Sequence, residues 1–244
     1  VYSSVELAVS AEEKRGSKTE NFLLWWEAIS GNASAFSKKY LKGKFLGEIK
    51  VNDDILSSIG EKVGKLTKHL KNYSNDSISS RKWEWDIQYL HLNKKLLKHI
   101  EDPNKRKIVM YFFQQFDEFV KPKLEKLRTT IIHNDTNEWN ILVKKNKDLG
   151  IIDFGDLTES QLVNEVAICM TYASYDKEKP LDSASLVLKS YNKIIRLTDT
   201  EVSLIYYLMA AKLCISVCNS AYSKKLNPEN KYALCLLYTS DAAD

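Results

Sequence analysis

The side chains best suited to chemistry lie close together in residues 131–156, IIHNDTNEWNILVKKNKDLGIIDFGD. Two short apolar runs in this stretch are typical of buried strands, and each adjoins carboxylates or amides. His133, Asp135 and Asn140 precede or open the first run, whereas Asp153 and Asp156 follow the second. Short strands flanked by acids and amides bring oxygen ligands to a divalent cation. We therefore interpret the stretch as a candidate phosphoryl-transfer site.

Three of these residues supply the groups that phosphoryl transfer needs. The reaction requires metal ions that neutralise the phosphate oxygens, and a carboxylate that accepts the proton of the acceptor hydroxyl. Mg²⁺ prefers oxygen ligands and takes only one or two carboxylates from a protein. Asp135 would be the carboxylate base, Asn140 an amide oxygen ligand and Asp153 a metal carboxylate.

The spacing of the three residues is the specific part of the pattern. Asn140 follows Asp135 by five residues, and Asp153 follows Asn140 by thirteen and opens the sequence Asp-Phe-Gly. With apolar strands between them, the two halves match the catalytic loop and the metal loop of kinase-like folds. Asp-Phe-Gly alone would be weak, because so short a motif often arises by chance. The alternative interpretation is two polar turns that flank a structural hairpin.

Three further residues are candidates for support rather than for chemistry. His133 could be catalytic, but beside a carboxylate base it is better suited to packing and hydrogen bonding that hold the loop. Glu165, in the helix that follows, is expected to support the same loop. Asp156 could either back up the metal loop or cap the helix behind it.

The elements that must position these residues are mainly helices. Apolar residues at helical spacing predict one helix that begins at Asn52 or Asp53 and another that begins near Pro103. The second would bury one apolar face, formed by Ile108, Phe112, Phe116 and Phe119. Further helices are predicted over residues 160–174, 183–195 and 198–222, the last with a capping box. The expected fold class is α+β and mainly helical, with one small central β-hairpin.

The composition is that of an ordinary globular protein. Charged residues make up 28% of the chain and the net charge is +4, but the lysines are scattered, so a nucleic-acid surface is not indicated. No apolar run reaches transmembrane length, because Lys212 interrupts the longest candidate, residues 204–218. No signal peptide is recognisable, and most cysteines lie inside apolar helical patterns. A cytoplasmic protein with reduced thiols and no membrane partner is expected.

The two ends of the chain are difficult to place. Residues 1–39 show no clear period and are left unassigned; they could be the remnant of an N-terminal lobe or a stretch read in the wrong frame. Residues 235–244, CLLYTSDAAD, resemble the translation of a sequencing adapter and are excluded from the fold. The expected domain is therefore residues 40–234, within a natural protein that continues past it.

Four segments of the chain carry a family resemblance: YLKGKFLGEI, IIHNDTNEWNILV, GIIDFGD with VNEVAICMTY, and AYSKKLNPENKYAL. They are similar to the aminoglycoside phosphotransferase and choline kinase superfamily, whose loop reads His-Gly-Asp-x-x-x-x-Asn, and within it to the hydroxylysine kinase family. The resemblance implies the C-terminal lobe of a protein kinase-like fold. It also implies that Asp135 is the catalytic base, that Asn140 and Asp153 bind Mg²⁺, and that ATP or GTP is the phosphate donor.

The resemblance further implies an acceptor, a small amino compound that bears a hydroxyl, with 5-hydroxy-L-lysine the first candidate. Relatives of this kind also occur fused to class III aminotransferases, so a fusion is an expectation for the complete protein. Two other interpretations stay open. One keeps the fold and changes the acceptor to choline, homoserine or an aminoglycoside, and the other is a kinase-like binding module without catalysis. The sequence leaves ATP against GTP and the oligomeric state undecided.

Two departures from the family pattern matter. Asn134 stands where the family usually has glycine, although asparagine tolerates left-handed backbone geometry better than most residues. No glycine-rich loop with a following strand lysine is recognisable before residue 40, because the surroundings of Gly16 and Gly31 lack the flanking strands. This chain by itself is therefore expected to be inactive, whatever the complete protein does.

Overall fold

A computed structural model of the protein describes residues 43–144 and 148–227. The predictions made for residues 1–39, for the start of the strand at Tyr40 and for the adapter-like end lie outside these residues. The α-helices are α1 (Asp53–Leu70), α2 (Asp76–Ser79), α3 (Pro103–Gln115), α4 (Leu162–Ala173), α5 (Pro180–Ile194) and α6 (Asp199–Leu226). The strands are β1 (Lys44–Phe45), β2 (Thr129–Ile132), β3 (Ile141–Val143), β4 (Leu149–Ile151) and β5 (Thr158–Gln161). The expected mainly helical α+β fold is confirmed.

Five further segments of the described residues are helical but differ from the α-helix in their hydrogen-bonding pattern. Four are 3₁₀ in character: Leu46–Glu48, Ile87–His99, Lys121–Lys126 and Phe154–Asp156. A π-type turn, Phe116–Val120, continues α3. The segment Ile87–His99 contains a kink at Tyr89, whose backbone is not helical.

The helix starts follow from local capping chemistry. The side chain of Asn52 accepts a hydrogen bond from the backbone N–H of Ile55 at 3.0 Å, so Asn52 is the N-cap of α1, as predicted. Thr198 and Glu201 form the predicted capping box at the start of α6. The predicted start of α4 at Ser160 is wrong by two residues, because Ser160 pairs with Thr130 in a sheet and the helix begins at Leu162.

The strands form two small sheets on either side of the candidate site. β3 and β4 are the predicted hairpin, with Ile141 opposite Ile151, and β1 pairs with the other edge of β3. The second sheet, β2 with β5, was not predicted from the sequence. β2 leads into His133, and β5 follows the turn that contains Asp156. The two sheets therefore hold both ends of the loops that carry the candidate residues.

The buried face of α3 differs from the predicted one. Ile108 is 56% exposed, whereas Val109, Phe113 and Phe116 are buried. Phe116 is buried as predicted, whereas the neighbouring residues Val109, Phe113 and Val120 take the places expected for Ile108, Phe112 and Phe119. Phe112 and Phe119, which the prediction placed in the core, are only half-buried, and each packs an aromatic ring against a tyrosine of α6.

α6 is the central helix of the core, and α1 and α5 pack side by side. By length and composition α6 could span a membrane, but 67% of its apolar window is buried inside the fold, as in a core helix. Cys169, Cys214 and Cys218 are buried free thiols, as expected. α1 approaches α5 so closely that a Cβ added to Gly60 would lie 2.1 Å from the carbonyl oxygen of Val187.

Candidate active site

Asp135 lies in the loop between β2 and β3, and two amides orient its carboxylate. Oδ2 of Asp135 accepts hydrogen bonds from Nδ2 of Asn137 at 2.9 Å and from Nδ2 of Asn140 at 2.8 Å. Nδ2 of Asn140 also donates to the backbone oxygen of Asp135 at 2.9 Å. Asn137 was not predicted as a site residue; its side-chain oxygen in addition accepts from the backbone of Asn140 and closes the loop.

The same contacts fix the orientation of the Asn140 amide. A carboxylate and a carbonyl can only accept hydrogen bonds, so the nitrogen of the amide must face Asp135. The oxygen Oδ1 therefore points away from Asp135. The backbone oxygen of Asn140 accepts from the N–H of Ile152 at 3.0 Å, which places the start of β3 beside the end of β4. Asp153 directly follows Ile152 in the sequence and so lies beside the start of β3.

The backbone of Asp153 is left-handed, and the residue caps a short 3₁₀ turn. Its φ of 62° lies in the left-handed region, and its side chain accepts from the N–H of Gly155 as the N-cap of the turn Phe154–Asp156. The hairpin thus brings Oδ1 of Asn140 and the carboxylate of Asp153 to one end of the small sheet. Two hard oxygen donors suit Mg²⁺, which keeps its other positions for water and phosphate. The described residues contain no cluster of three His, Cys, Asp or Glu side chains of the kind that encloses a metal within protein ligands.

His133 joins the two loops through both of its ring nitrogens. Nδ1 accepts a hydrogen bond from the backbone N–H of Asp135 at 3.3 Å, so the ring proton belongs on Nε2, which lies 2.9 Å from the carbonyl oxygen of Ile152. The ring is fully buried and meets the ring of Phe154 edge-on at 4.8 Å. With both nitrogens engaged, this geometry favours the supporting interpretation of His133 over the catalytic one.

Glu165 braces the loop from α4. Its carboxylate is fully buried and accepts a hydrogen bond from the backbone N–H of His133. Burial raises the pKa of Glu165. The electrostatic interaction with His133 and hydrogen bonds from the backbone amides of His133 and Asn134 oppose that rise. Such a contact fixes where the loop leaves β2.

Asp156 ends the turn after Asp153 and is half-buried. Because α4 begins at Leu162 and its N-cap is Gln161, the predicted alternative that Asp156 caps this helix is wrong. Burial, together with the negative charges of Asp135 and Asp153, raises the pKa of Asp156 to about 6, against the opposing effect of Lys212 and Arg81.

Two buried or stacked groups around the site were missed by reasoning from the sequence. Arg81 donates from Nη1 to the carbonyl oxygens of Gly155 at 2.7 Å and Leu157 at 3.1 Å, and its guanidinium lies 3.6 Å from the ring centre of Trp83. It clamps the metal loop from outside. Asp86 is fully buried and accepts from the hydroxyls of Ser160 at 2.8 Å and Thr158 at 3.1 Å, which ties its segment to β5.

Lys212 was also missed by reasoning from the sequence. It lies in the middle of α6, is only 1% exposed, and donates from Nζ to the carbonyl oxygen of Asn134 at 3.3 Å. The ring centres of Trp85 and Tyr172 lie 5.6 and 5.8 Å from the same nitrogen. The sequence did hold a signal, because a lysine interrupts an otherwise apolar helix. Charge alone could not indicate which carbonyl it would reach.

Comparison with known proteins places this arrangement in a family. Residues 39–187 match the family described as the phosphotransferase enzyme family. Hydroxylysine kinase of Bos taurus is 30% identical over 209 residues, which are 81% of this chain and 56% of that protein. This chain therefore spans little more than half the length of the curated relatives it matches.

Solved structures agree on the fold. An amicoumacin kinase in complex with AMP-PNP and Ca²⁺ superposes with a TM-score of 0.58 at 17% identity, over 84% of this chain and 64% of that one. An aminoglycoside phosphotransferase from Alicyclobacillus acidocaldarius gives a TM-score of 0.59 at 12% identity, over 98% and 77%. The match covers more than half of the chain and the fold agrees with it, so this chain belongs to the phosphotransferase enzyme family.

Proposed function

We propose that the complete protein containing this sequence is a small-molecule kinase. It transfers the γ-phosphate of ATP or GTP to the hydroxyl of an amino compound, with 5-hydroxy-L-lysine as the first acceptor. The name of the Bos taurus relative supports this acceptor class, and the AMP-PNP in the amicoumacin kinase complex supports a nucleoside triphosphate as donor. The observation that carries the proposal is the joint placement of Asp135, Asn140 and Asp153 at one end of the β3–β4 hairpin.

In this mechanism Asp135 accepts the proton of the acceptor hydroxyl as the hydroxyl oxygen attacks the phosphate. The amides of Asn137 and Asn140 hold one oxygen of its carboxylate, so the side chain is oriented before the acceptor arrives. Oδ1 of Asn140 and the carboxylate of Asp153 would hold Mg²⁺, which when bound neutralises charge on the phosphate oxygens. His133 and Glu165 maintain the loop in this shape and take no proton.

The base role of Asp135 is tested by Asp135→Asn in the complete protein. An asparagine oxygen can still accept from the two neighbouring amides, so the loop should keep its shape while the proton acceptor is lost. We expect kcat to fall by about 10²–10⁴-fold with nucleotide affinity unchanged, measured by coupled assay and by calorimetric titration.

The matched control is Asp182→Asn, which changes an exposed aspartate on α5 and should leave kcat unchanged. Unaltered turnover in Asp135→Asn would remove Asp135 from the role of base. If the unmodified protein transfers phosphate to none of 5-hydroxy-L-lysine, choline, homoserine or an aminoglycoside, the domain is a binding module instead. The cytoplasmic location and the aminotransferase fusion stay predictions from the sequence.

A further inference from the structure

Lys212 is a buried cation that the mechanism above does not use. An ammonium group removed from water is costly unless it is paired or hydrogen-bonded. Burial lowers the pKa of Lys212, and the negative charges of four carboxyl groups on different segments oppose that shift: Asp135 of the catalytic loop, Asp156 of the metal loop, Asp86 before the 87–99 turn and Glu165 of α4. α6 therefore brings a positive charge into the field of the acidic groups of the site.

The hydrogen bond from Lys212 falls on the backbone next to the proposed base. Its acceptor is the carbonyl oxygen of Asn134, and that carbonyl belongs to the peptide unit that ends at the nitrogen of Asp135. The N–H of the same peptide unit donates to Nδ1 of His133 at 3.3 Å. A peptide unit is planar and rigid, so contacts at its oxygen and its hydrogen fix the whole plane.

This peptide plane needs to be held. Asn134 has a φ of 68°, in the left-handed region that side-chain-bearing residues occupy at a cost. A change of this φ toward the ordinary negative region would swing the whole Asn134–Asp135 peptide unit, and the Cα of Asp135 with it, about the N–Cα bond of Asn134. Displacements of about 1 Å at a reacting group can cost about 10²-fold in rate.

We propose that Lys212 is a positioning residue for phosphoryl transfer, whose ammonium group holds the Asn134–Asp135 peptide plane and thereby the carboxylate of Asp135. The inference rests on the proposed function, in which Asp135 is the base. It assigns to the late helix α6 a part in the active site. The ring centres of Trp85 and Tyr172 lie within 6 Å of the ammonium nitrogen, close enough for a cation–π attraction.

The test compares Lys212→Met with Lys212→Arg in the complete protein. Methionine fills a similar volume without a donor or a charge, and we expect kcat to fall about 10–100-fold while the KM for the nucleotide stays within about twofold. Arginine can still donate to the carbonyl of Asn134, so Lys212→Arg should retain kcat within about fivefold.

A control separates positioning from mere loss of stability. Val187→Ala truncates a buried side chain of α5 where that helix packs on α1, and it should lower the melting temperature without lowering kcat at 25 °C. If Lys212→Met does not fold, Lys212→Gln replaces it, because glutamine is uncharged and its amide nitrogen ends one bond short of the position of Nζ, which itself lies 3.3 Å from the carbonyl oxygen.

The outcomes distinguish this inference from the proposed function. Wild-type turnover in Lys212→Met or Lys212→Gln would overturn the inference and leave the kinase assignment intact. Equal losses in the methionine and arginine variants, with both KM values raised, would also overturn it, because they would indicate general disruption. Absence of phosphoryl transfer in the unmodified protein would refute the proposed function itself.

Discussion

At the scale of single residues, Asn134 holds a left-handed backbone at the position where the resemblance implies a glycine. Its φ of 68° is one that glycine adopts without strain. Its side chain is fully buried, and neither of its amide atoms has a hydrogen-bond partner among the described residues. A buried polar group without a partner costs about 1–3 kcal/mol. The backbone thus accommodates the asparagine, but no hydrogen bond among the described residues stabilises its side chain.

We therefore expect Asn134→Gly to leave the free energy of unfolding unchanged or to raise it by about 1 kcal/mol, because it removes both unpaired amide atoms. Asn134→Ala removes the same atoms, but alanine has no favourable left-handed conformation, so its free energy of unfolding should be about 1–2 kcal/mol below that of Asn134→Gly. Urea titrations of the two variants beside the unmodified protein measure both values. A loss of more than about 1 kcal/mol in Asn134→Gly would show that the amide makes a stabilising contact.

Asp156 gives the site a pH-dependent stability. Burial raises its pKa from 3.8 to about 6, so the unfolded chain releases this proton at lower pH than the folded protein does. The contribution of Asp156 is therefore most favourable below about pH 4 and is lost as the pH rises to about 6. We expect the protein, without divalent cations, to lose about 1–2 kcal/mol across this window relative to Asp156→Asn.

Paired urea titrations at pH 4.5 and pH 7 in chelator measure this difference, with Asp182→Asn as the exposed control. A constant difference between the protein and Asp156→Asn at the two pH values would contradict the assignment. Added Mg²⁺ should reduce the effect, because a cation near Asp153 favours the ionised carboxylate.

At the scale of elements, the close contact between α1 and α5 sets the position of the helical layer behind the site. Gly60→Ala would normally stabilise a helix by about 1 kcal/mol. Here the added Cβ would meet the backbone oxygen of Val187 at 2.1 Å, and a backbone group cannot rotate away. We expect a net loss of about 2–3 kcal/mol in the free energy of unfolding.

Thermal or urea unfolding of Gly60→Ala measures the loss. Glu61→Ala is the matched control, since Glu61 is exposed on the same helix and forms an exposed salt bridge with Lys65, so its change should be below about 0.5 kcal/mol. Stabilisation of the protein by Gly60→Ala would mean that the two helices do not approach this closely.

The elements also show what the sequence could and could not predict. The caps at Asn52 and Thr198 and the β3–β4 hairpin depend on neighbouring residues, and the sequence predicted them. The β2–β5 pair joins residues about thirty positions apart and has no local turn signal, so it was missed. The buried face of α3 was partly wrong for a related reason: two sets of apolar residues fit the helical period, and only packing in the complete fold decides between them.

The residues of the candidate site also fall into two groups, those that the sequence indicated and those that it did not. The types and spacing of Asp135, Asn140 and Asp153 made them candidates from the sequence, because phosphoryl transfer restricts which side chains can serve, and their roles stay predictions. Lys212 and Arg81 were not, since each acts on a backbone carbonyl more than seventy positions away in the sequence. Only the fold can show which carbonyl a long cationic side chain reaches.

At the scale of the whole molecule, the described residues hold one side of the proposed kinase site. The proposed base, the proposed metal ligands and their supports lie within them, and Lys212 of α6 contacts the same loop. The chain spans 56% of the Bos taurus hydroxylysine kinase, so the proposed donor and acceptor are tested on the complete protein.

The most direct measurement is phosphoryl transfer by the complete protein, with Mg²⁺ and either ATP or GTP, followed by ³¹P NMR of the product. We expect a phosphate monoester on the hydroxyl of 5-hydroxy-L-lysine and no product with L-lysine, which lacks that hydroxyl. Asp153→Ala should lose most of the dependence on Mg²⁺. A phosphate monoester formed on none of the hydroxylated amines, or formed equally well by Asp153→Ala and Asp135→Asn, would contradict the account.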